Sequence, residues 1–510
     1  MSLFDAFESK DKVDDATYER KVAKLRADLL DVQYDVLARK SFPVVVLING
    51  VEGAGKGETV NLLHEWMDPR HIQAFAFGEP TQEERARPEM WRFWRAQPAK
   101  GRIGVLFGNW YTHPIVARVD KTMSVASLDQ HIERIVALED LLEKDGGLLL
   151  KFWFHLGKKA QKKRLETLEN DKLQSWRVTP LDWKRFKVYD DYVKVSEHVL
   201  RHTSVVPWHI VNGYDANRRE LEVGELLLSA MRRKLAEDDA ARAKKATATV
   251  PVPAPVPKAS TKKKAPTPKP ASEHLALLRG LSFEERLSKE HYDVKIEKAQ
   301  RHLNQLSRNA TFCGKRSCVV VFEGNDAAGK GGAIRRVTAA LDARQYHVIP
   351  IAAPTAEERS YPYLWRFWNH LPARGKFTIF DRSWYGRVLV ERVEGFARTD
   401  EWQRAYHEIE AFERDMVDHG VVVVKFWLAV TPEEQLRRFK ERENTRFKRF
   451  KITEDDWRNR KKWDAYEAAA CDMIARTSGV APWHIIEAND KHLARVRIVK
   501  TIAETVAESL

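Results

Sequence analysis

The stretch Val319-Val320-Val321-Phe322-Glu323-Gly324-Asn325-Asp326-Ala327-Ala328-Gly329-Lys330-Gly331-Gly332 decides the fold. Its β-branched, apolar start predicts a buried parallel strand. The pattern Gly324-x4-Gly329-Lys330 behind that strand is a glycine-rich turn opening a helix. Backbone N–H groups there can wrap a phosphate, and the lysine neutralises the transferring group. Gly324, Asn325, Ala327, Ala328, Gly329, Gly331 and Gly332 are therefore expected to bind phosphate, with Lys330 catalytic. Gly331 follows the lysine where a Ser or Thr hydroxyl usually meets Mg²⁺, so the metal needs other oxygens. Asp326 inside the loop and Asp381 at the end of the next apolar run, Lys376–Phe380, are the candidate Mg²⁺ ligands. Arg382 follows at once and suits charge stabilisation on a phosphoryl group.

The same pattern occurs earlier in the chain. Gly50-Val-Glu-Gly-Ala-Gly55-Lys56-Gly57 matches Gly324 to Gly331 at an offset of 324 − 50 = 274. At that offset Trp91-Arg92-Phe93-Trp94 meets Trp365-Arg366-Phe367-Trp368, Lys151-Phe152-Trp153 meets Lys425-Phe426-Trp427, and Trp183 meets Trp457. Pro207-Trp208-His209 meets Pro482-Trp483-His484 at 275. Ordered landmarks at one spacing are a tandem duplication. Residues 245–272, rich in proline, alanine, lysine and threonine and without aromatics, read as a linker. The predicted layout is a degenerate domain over 1–240, a linker over 241–272 and a catalytic domain over 273–510. Each half runs from a charged helix (about Tyr18–Lys40; about Phe283–Arg308) through alternating strands and helices. That order predicts a three-layer α/β fold with a mostly parallel sheet.

At 510 residues, 43% hydrophobic and a mean hydropathy of −0.50, the chain suits a soluble two-domain protein. No apolar run is long enough for a membrane span, and the first residues carry no basic-then-apolar secretory pattern. Cys313, Cys318 and Cys471 make no disulfide framework, which favours the cytoplasm. The net charge of +14 attracts nucleic acid, acidic lipid or a polyanionic substrate alike. Behind the last long strand, the run from Glu434 to Lys451 is densely cationic and begins as a helix. Lys440, Arg442, Lys448 and Arg449 face Glu166, Leu168, Gln174 and Ser175 of the first copy at offset 274. A cation-enriched helical lid is expected to grip an extended polyanion and exclude water.

These residues resemble a known family. Gly324-x-Asp326-x-x-Gly329-Lys330-Gly331, Tyr363-Leu-Trp365-Arg-Phe-Trp368, Phe380-Asp381-Arg382-Ser383-Trp384-Tyr385 and Val390-Glu391-Arg392-Val393 look like the polyphosphate kinase 2 family. The resemblance implies a thymidylate-kinase-like fold and Mg²⁺-dependent transfer of a terminal phosphoryl group from inorganic polyphosphate to a nucleotide. The fused two-domain layout is similar to members that take AMP to ADP. Asp326, Lys330, Asp381 and Arg382 carry over as the catalytic set. Arg438, Arg442, Arg446 and Lys448 are assigned to polyphosphate, and Glu391 and Trp365 to the nucleotide. In the first copy Glu52 replaces Asp326. Phe107-Gly108-Asn109-Trp110-Tyr111 stands for Phe380 to Tyr385, one residue shorter and without the carboxylate and arginine, so this copy is expected to be inactive. Competing readings are a nucleoside-diphosphate acceptor, an ATP-dependent monophosphate kinase, a nucleic-acid ATPase, for which no reading module is recognisable, and a non-catalytic polyphosphate scaffold. The two fused copies either replace a homodimer contact or assemble further.

Overall fold

A computed structural model describes residues 2–173, 175–248, 275–444 and 454–510. The chain divides into two compact units: Met1–Pro80, Phe93–Ala259 and Ala356–Pro362 in the first, and Thr81–Arg92, Ser260–Thr355 and Tyr363–Leu510 in the second. Each is built on a five-stranded sheet. In the first, β1 (Val44–Gly50), β2 (Ile72–Ala76), β3 (Ile103–Phe107), β4 (Leu148–His155) and β5 (Trp208–Asn212) lie in the order β2-β3-β1-β4-β5. In the second, β6 (Ser317–Gly324), β7 (Tyr346–Pro350), β8 (Phe377–Asp381), β9 (Val421–Ala429) and β10 (Trp483–Glu487) lie in the order β10-β9-β6-β8-β7. Every neighbouring pair is parallel, so "mostly parallel" becomes wholly parallel.

The strands that read as continuous apolar runs are the central ones. All residues of β1, β4 and β9 are buried, as a sheet covered on both faces requires. On one face of the second sheet, Ile296 and Leu303 of helix Lys289–Ser307, Ile334 and Val337 of helix Lys330–Thr338 and Val499 and Ile502 of helix Lys491–Glu508 pack on Val320, Phe322 and Phe426. The first of these helices begins later than the expected Phe283, because Ser288 caps it by accepting from the His291 N–H. In the first unit, helix Ala216–Ala248 runs into the stretch predicted as linker. Residues 241–248 are good helix formers and the first proline comes only at Pro251. The rest of the expected linker lies outside the described residues. No described helix is long and apolar enough to cross a membrane.

One feature of the second sheet's other face recurs in the first unit. The Lys425 side chain is fully buried and donates to Glu413 Oε2 (2.7 Å), Tyr385 Oη (2.8 Å) and the Thr477 carbonyl (2.6 Å). In the first unit Lys151 does the same with Glu139 (2.7 Å), Tyr111 (3.1 Å) and Thr203 (2.5 Å). Burial pushes the Glu413 carboxyl up and the Lys425 ammonium down, each opposed by its partner's charge. Removing one partner of a buried pair leaves the other uncompensated, a cost of about 3–5 kcal/mol. Lys425→Ala is therefore expected to lower the urea midpoint clearly, followed by tryptophan fluorescence, whereas Lys440→Ala leaves it within experimental error.

Candidate functional site

The connection leaving β6 runs toward β7 on one edge of the sheet, and that leaving β9 runs toward β10 on the other. The carboxyl ends of these strands flank the crevice such a switch creates. The phosphate loop closes there. Gly324, at φ +137°, lies so close to β9 that a Cβ would meet the Leu428 carbonyl oxygen at 2.3 Å. Ala327 (φ 61°) and Arg382 (φ 64°) hold left-handed backbone without being glycine. Such conformations cost of order 1–3 kcal/mol each and cluster at functional sites.

A cleft of about 800 Å³ opens above the loop. Asp326 to Ala333, Asp381 and Arg382 line it, joined by Arg335, Arg336, Arg442, Arg458, Lys491 and Arg495. The Lys330 ammonium folds back onto the carbonyls of Gly324 (2.8 Å) and Asn325 (3.2 Å). Burial pushes it below the ordinary lysine range, against the pull of Asp326 and Asp381. Arg382 Nη2 lies 3.2 Å from Asp326 Oδ1, and Asn459 Nδ2 donates to Asp326 Oδ2 at 2.9 Å. Asp326 and Asp381 thus bring carboxylate oxygens to the same cleft, a donor set that suits a hard divalent cation.

Sequence reasoning passed over several residues. Glu323 is buried and accepts from Ser383 Oγ at 2.9 Å, tying the end of β6 to the turn carrying Arg382. Burial pushes its carboxyl up, opposed by Lys330. The available signal was an acidic residue inside an otherwise apolar strand. The cations Arg335, Arg336, Lys491 and Arg495 come from two helices far apart in sequence. Other expectations move. Arg438 is buried and all five of its N–H groups are used: Nε on Glu434, Nη1 on the Ala327 and Ala328 carbonyls, Nη2 on those of Ala488 and Asn489. It holds the loop through these bonds while also lining the cleft. Glu391 is paired with Arg387 at 2.8 Å. Val390, and neither Glu391 nor Trp365, lines the cleft. Arg446 and Lys448 lie outside the described residues.

In the first unit the same frame carries different side chains at these positions. Strand register pairs Ile48 with Phe107 and Phe322 with Asp381. Phe107 therefore occupies the Asp381 position and Gly108 that of Arg382. The copies are equal in length here, which corrects the expected one-residue deletion; aligning the two phenylalanines had displaced the register. The Lys56 ammonium lies 5.9 Å from the Phe107 ring centre. Glu52, replacing Asp326, accepts from Lys56 (3.0 Å) and from Arg185 (3.1 Å), the counterpart of Asn459. Burial opposes its charge, yet the two cations hold its carboxyl below the usual range. Glu58, where the second unit has Gly332, is ion-paired with Arg177 and lies 3.5 Å from Arg164. Arg219, buried at the position of Ala494, lies against Gly55 so closely that a Cβ there would meet its Cζ at 2.2 Å. Arg335 and Arg336 become Asn61 and Leu62 at offset 274, and Lys491 and Arg495 become Ala216 and Glu220 at 275. The void beside Glu52 and Arg185 is about 10 Å³.

The chain matches the family model "Polyphosphate kinase 2" over residues 12–239 and again over 286–510. It is 50% identical to a polyphosphate:AMP phosphotransferase of Pseudomonas aeruginosa over 507 residues, covering 99% of this chain and 98% of the relative. It is 51% identical to one of Pseudomonas syringae pv. tomato over 510 residues, covering 99% of both. A crystal structure described as a polyphosphate kinase 2 of Pseudomonas aeruginosa PA01 superposes with a TM-score of 0.87 at 48% identity, covering 99% of each chain.

The cation cluster carries its own test. A hydrogen bond to a charged group contributes about 1.5–3 kcal/mol, so Arg335→Ala or Arg495→Ala is expected to weaken binding of inorganic tripolyphosphate about tenfold or more by titration calorimetry. Asn61→Ala in the first unit leaves it unchanged.

Proposed function

Because this chain belongs to the polyphosphate kinase 2 family through both of its units, we propose that its activity resides in the second unit: the transfer of a terminal phosphoryl group from inorganic polyphosphate to AMP, giving ADP. Full-length relatives named for that reaction support AMP as the acceptor, and the ATP-dependent and diphosphate-acceptor readings are not favoured. One observation carries the assignment of the unit. Lys330, Asp326, Asp381 and Arg382 meet at one cleft in the second unit, whereas Phe107 stands in the place of the second carboxylate and Gly108 in that of the arginine in the first.

The chemistry asks for positioning and charge neutralisation, with no covalent nucleophile. Loop N–H groups and Lys330 hold the phosphoryl group to be transferred. Arg382, braced by Asp326, meets the charge that spreads over it in the transition state. Asp326 and Asp381 are the residues that would hold Mg²⁺, which when bound draws charge from the phosphate oxygens. Arg335, Arg336, Lys491 and Arg495 neutralise successive phosphates of the donor, with Arg442 and the lid beyond. The first unit is non-catalytic. The unpaired Cys313, Cys318 and Cys471 support a cytoplasmic location.

Purified protein incubated with Mg²⁺, AMP or ADP, and polyphosphate or ATP is expected to form ADP from polyphosphate and AMP, with nucleotides resolved by chromatography. Absence of product from polyphosphate overturns the reading. Lys330→Ala removes a charge stabiliser and is expected to lower kcat at least about a hundredfold, while Lys56→Ala leaves most of the activity. Equal losses would overturn the division of labour. Chelation of divalent cations is expected to abolish turnover, and added Mg²⁺ to restore it.

A further inference from the structure

We infer that Gln435 and Arg438 form a clamp that sets the working shape of the phosphate loop, making Arg438 a positioning residue for phosphoryl transfer. Both side chains project from helix Pro432–Asn444 and both are buried. Gln435 Nε2 donates to the Asp326 carbonyl at 3.2 Å, and Arg438 Nη1 to the carbonyls of Ala327 and Ala328, both at 2.9 Å. Three consecutive loop carbonyls are thus captured by one helix. In a trans peptide the N–H points opposite to the carbonyl before it. Drawing these carbonyls toward the helix therefore turns the N–H groups of Ala327 and Gly329 away from it, while the Ala328 N–H closes the turn on the Asn325 carbonyl at 3.1 Å. Capture also offsets the left-handed backbone of Ala327.

The clamp is itself anchored. Arg460 Nη1 donates to Gln435 Oε1 (3.0 Å) and to the Pro432 carbonyl (2.8 Å). Glu434 takes the Arg438 Nε–H at 2.6 Å, and the second Arg438 nitrogen grips the Ala488 and Asn489 carbonyls (2.6 and 3.0 Å), where the chain leaves β10. A planar fork with five donors can bridge these groups at once; an ammonium cannot.

The first unit provides a natural comparison. Gln161, the counterpart of Gln435, still donates to the Glu52 carbonyl at 3.0 Å. Arg164, the counterpart of Arg438, is instead 43% exposed and leans toward Glu58. Half of the clamp survives in the unit that has lost its catalytic carboxylate, and the whole of it in the unit that has kept one. The inference rests on the reading of the second unit as the catalytic one.

The test compares Arg438→Ala, Arg438→Lys and Gln435→Ala in the full chain, with Lys330→Ala alongside. Displacing a phosphate cradle by about 1 Å costs about a hundredfold, so Arg438→Ala is expected to lower kcat/KM for polyphosphate by that factor with the KM for AMP unchanged. Arg438→Lys recovers only part. Hydrogen exchange in peptides covering 324–332 accelerates, while helix Lys491–Glu508 keeps its protection. Wild-type kcat/KM for polyphosphate in Arg438→Ala, or equal changes in both KM values, overturns the clamp. If Arg438→Ala does not fold, Gln435→Ala decides: faster exchange at 324–332 with reduced kcat/KM supports the clamp, and unchanged exchange overturns it. Full activity in Lys330→Ala would instead overturn the assignment of the catalytic unit, which is a separate result.

Discussion

A lysine with no access to water is the constraint on which each unit is organised. Lys425 at β9 meets a carboxylate from helix Thr399–Asp418, a phenol from the turn after β8 and a carbonyl at the end of helix Trp463–Arg476. Four elements must converge, since a charge in a low-dielectric interior is tolerable only with its partners in place. Tyr385 sits four residues beyond Asp381, so the ammonium fixes where the strand end and its Asp381-Arg382 pair can lie. Trp384, buried and donating to the same Glu413, pins the other side of the turn. Between these anchors and the Ser383–Glu323 bond, Arg382 can be held in a backbone conformation it would otherwise leave.

The recurrence of the network as Lys151, Glu139, Tyr111 and Trp110 separates framework from chemistry. The first unit keeps the buried lysine network but holds Asn49 and Asn109 where the second has the Glu323–Ser383 bond, and it has Phe107 and Gly108 in place of Asp381 and Arg382. What differs is the sign and freedom of the charges at the carboxyl edge of the sheet. In the second unit, cations line an open cleft. In the first, Glu58 stands among the arginines where the second has Gly332, and the charges close on one another. Identical topology thus supports a site in one case and a solid in the other, which is why function has to be argued from side chains and not from the fold.

The strand–loop–helix unit and the duplication were legible because they are local patterns: apolar β-branched runs, glycines at set spacing, landmarks repeated at one offset. The order of strands was less so, and with it the correspondence of Phe107 to Asp381, since a phenylalanine near each strand end suggests one match and only the register across the sheet fixes the other. A run of cations suggests a polyanion, and does not by itself reveal that Arg438 braces the loop. The helical spacing of Gln435, Arg438 and Phe439, at i, i+3 and i+4, was the overlooked sign that this face turns inward. Arg335, Arg336, Lys491 and Arg495 stayed hidden for a different reason. They belong to helices separated by most of the domain, and only the parallel crossover connections bring them to one rim.

The ion pairs that fill the first unit's loop also bear on how it could be opened. Glu58 is held by Arg177 beside Arg164, and Arg219 lies buried against Gly55. Replacing Glu58 by the glycine of the other copy would remove the carboxylate that Arg177 and Arg164 share, and would leave Arg219 its pairing with Glu220 at 3.7 Å. Removing one arginine alone would leave the carboxylate with the other and the loop still filled. Opening a cleft here therefore takes several coordinated replacements and not one. The closed arrangement thus resists reopening by single substitutions, because a change at any one of these side chains leaves the others filling the loop.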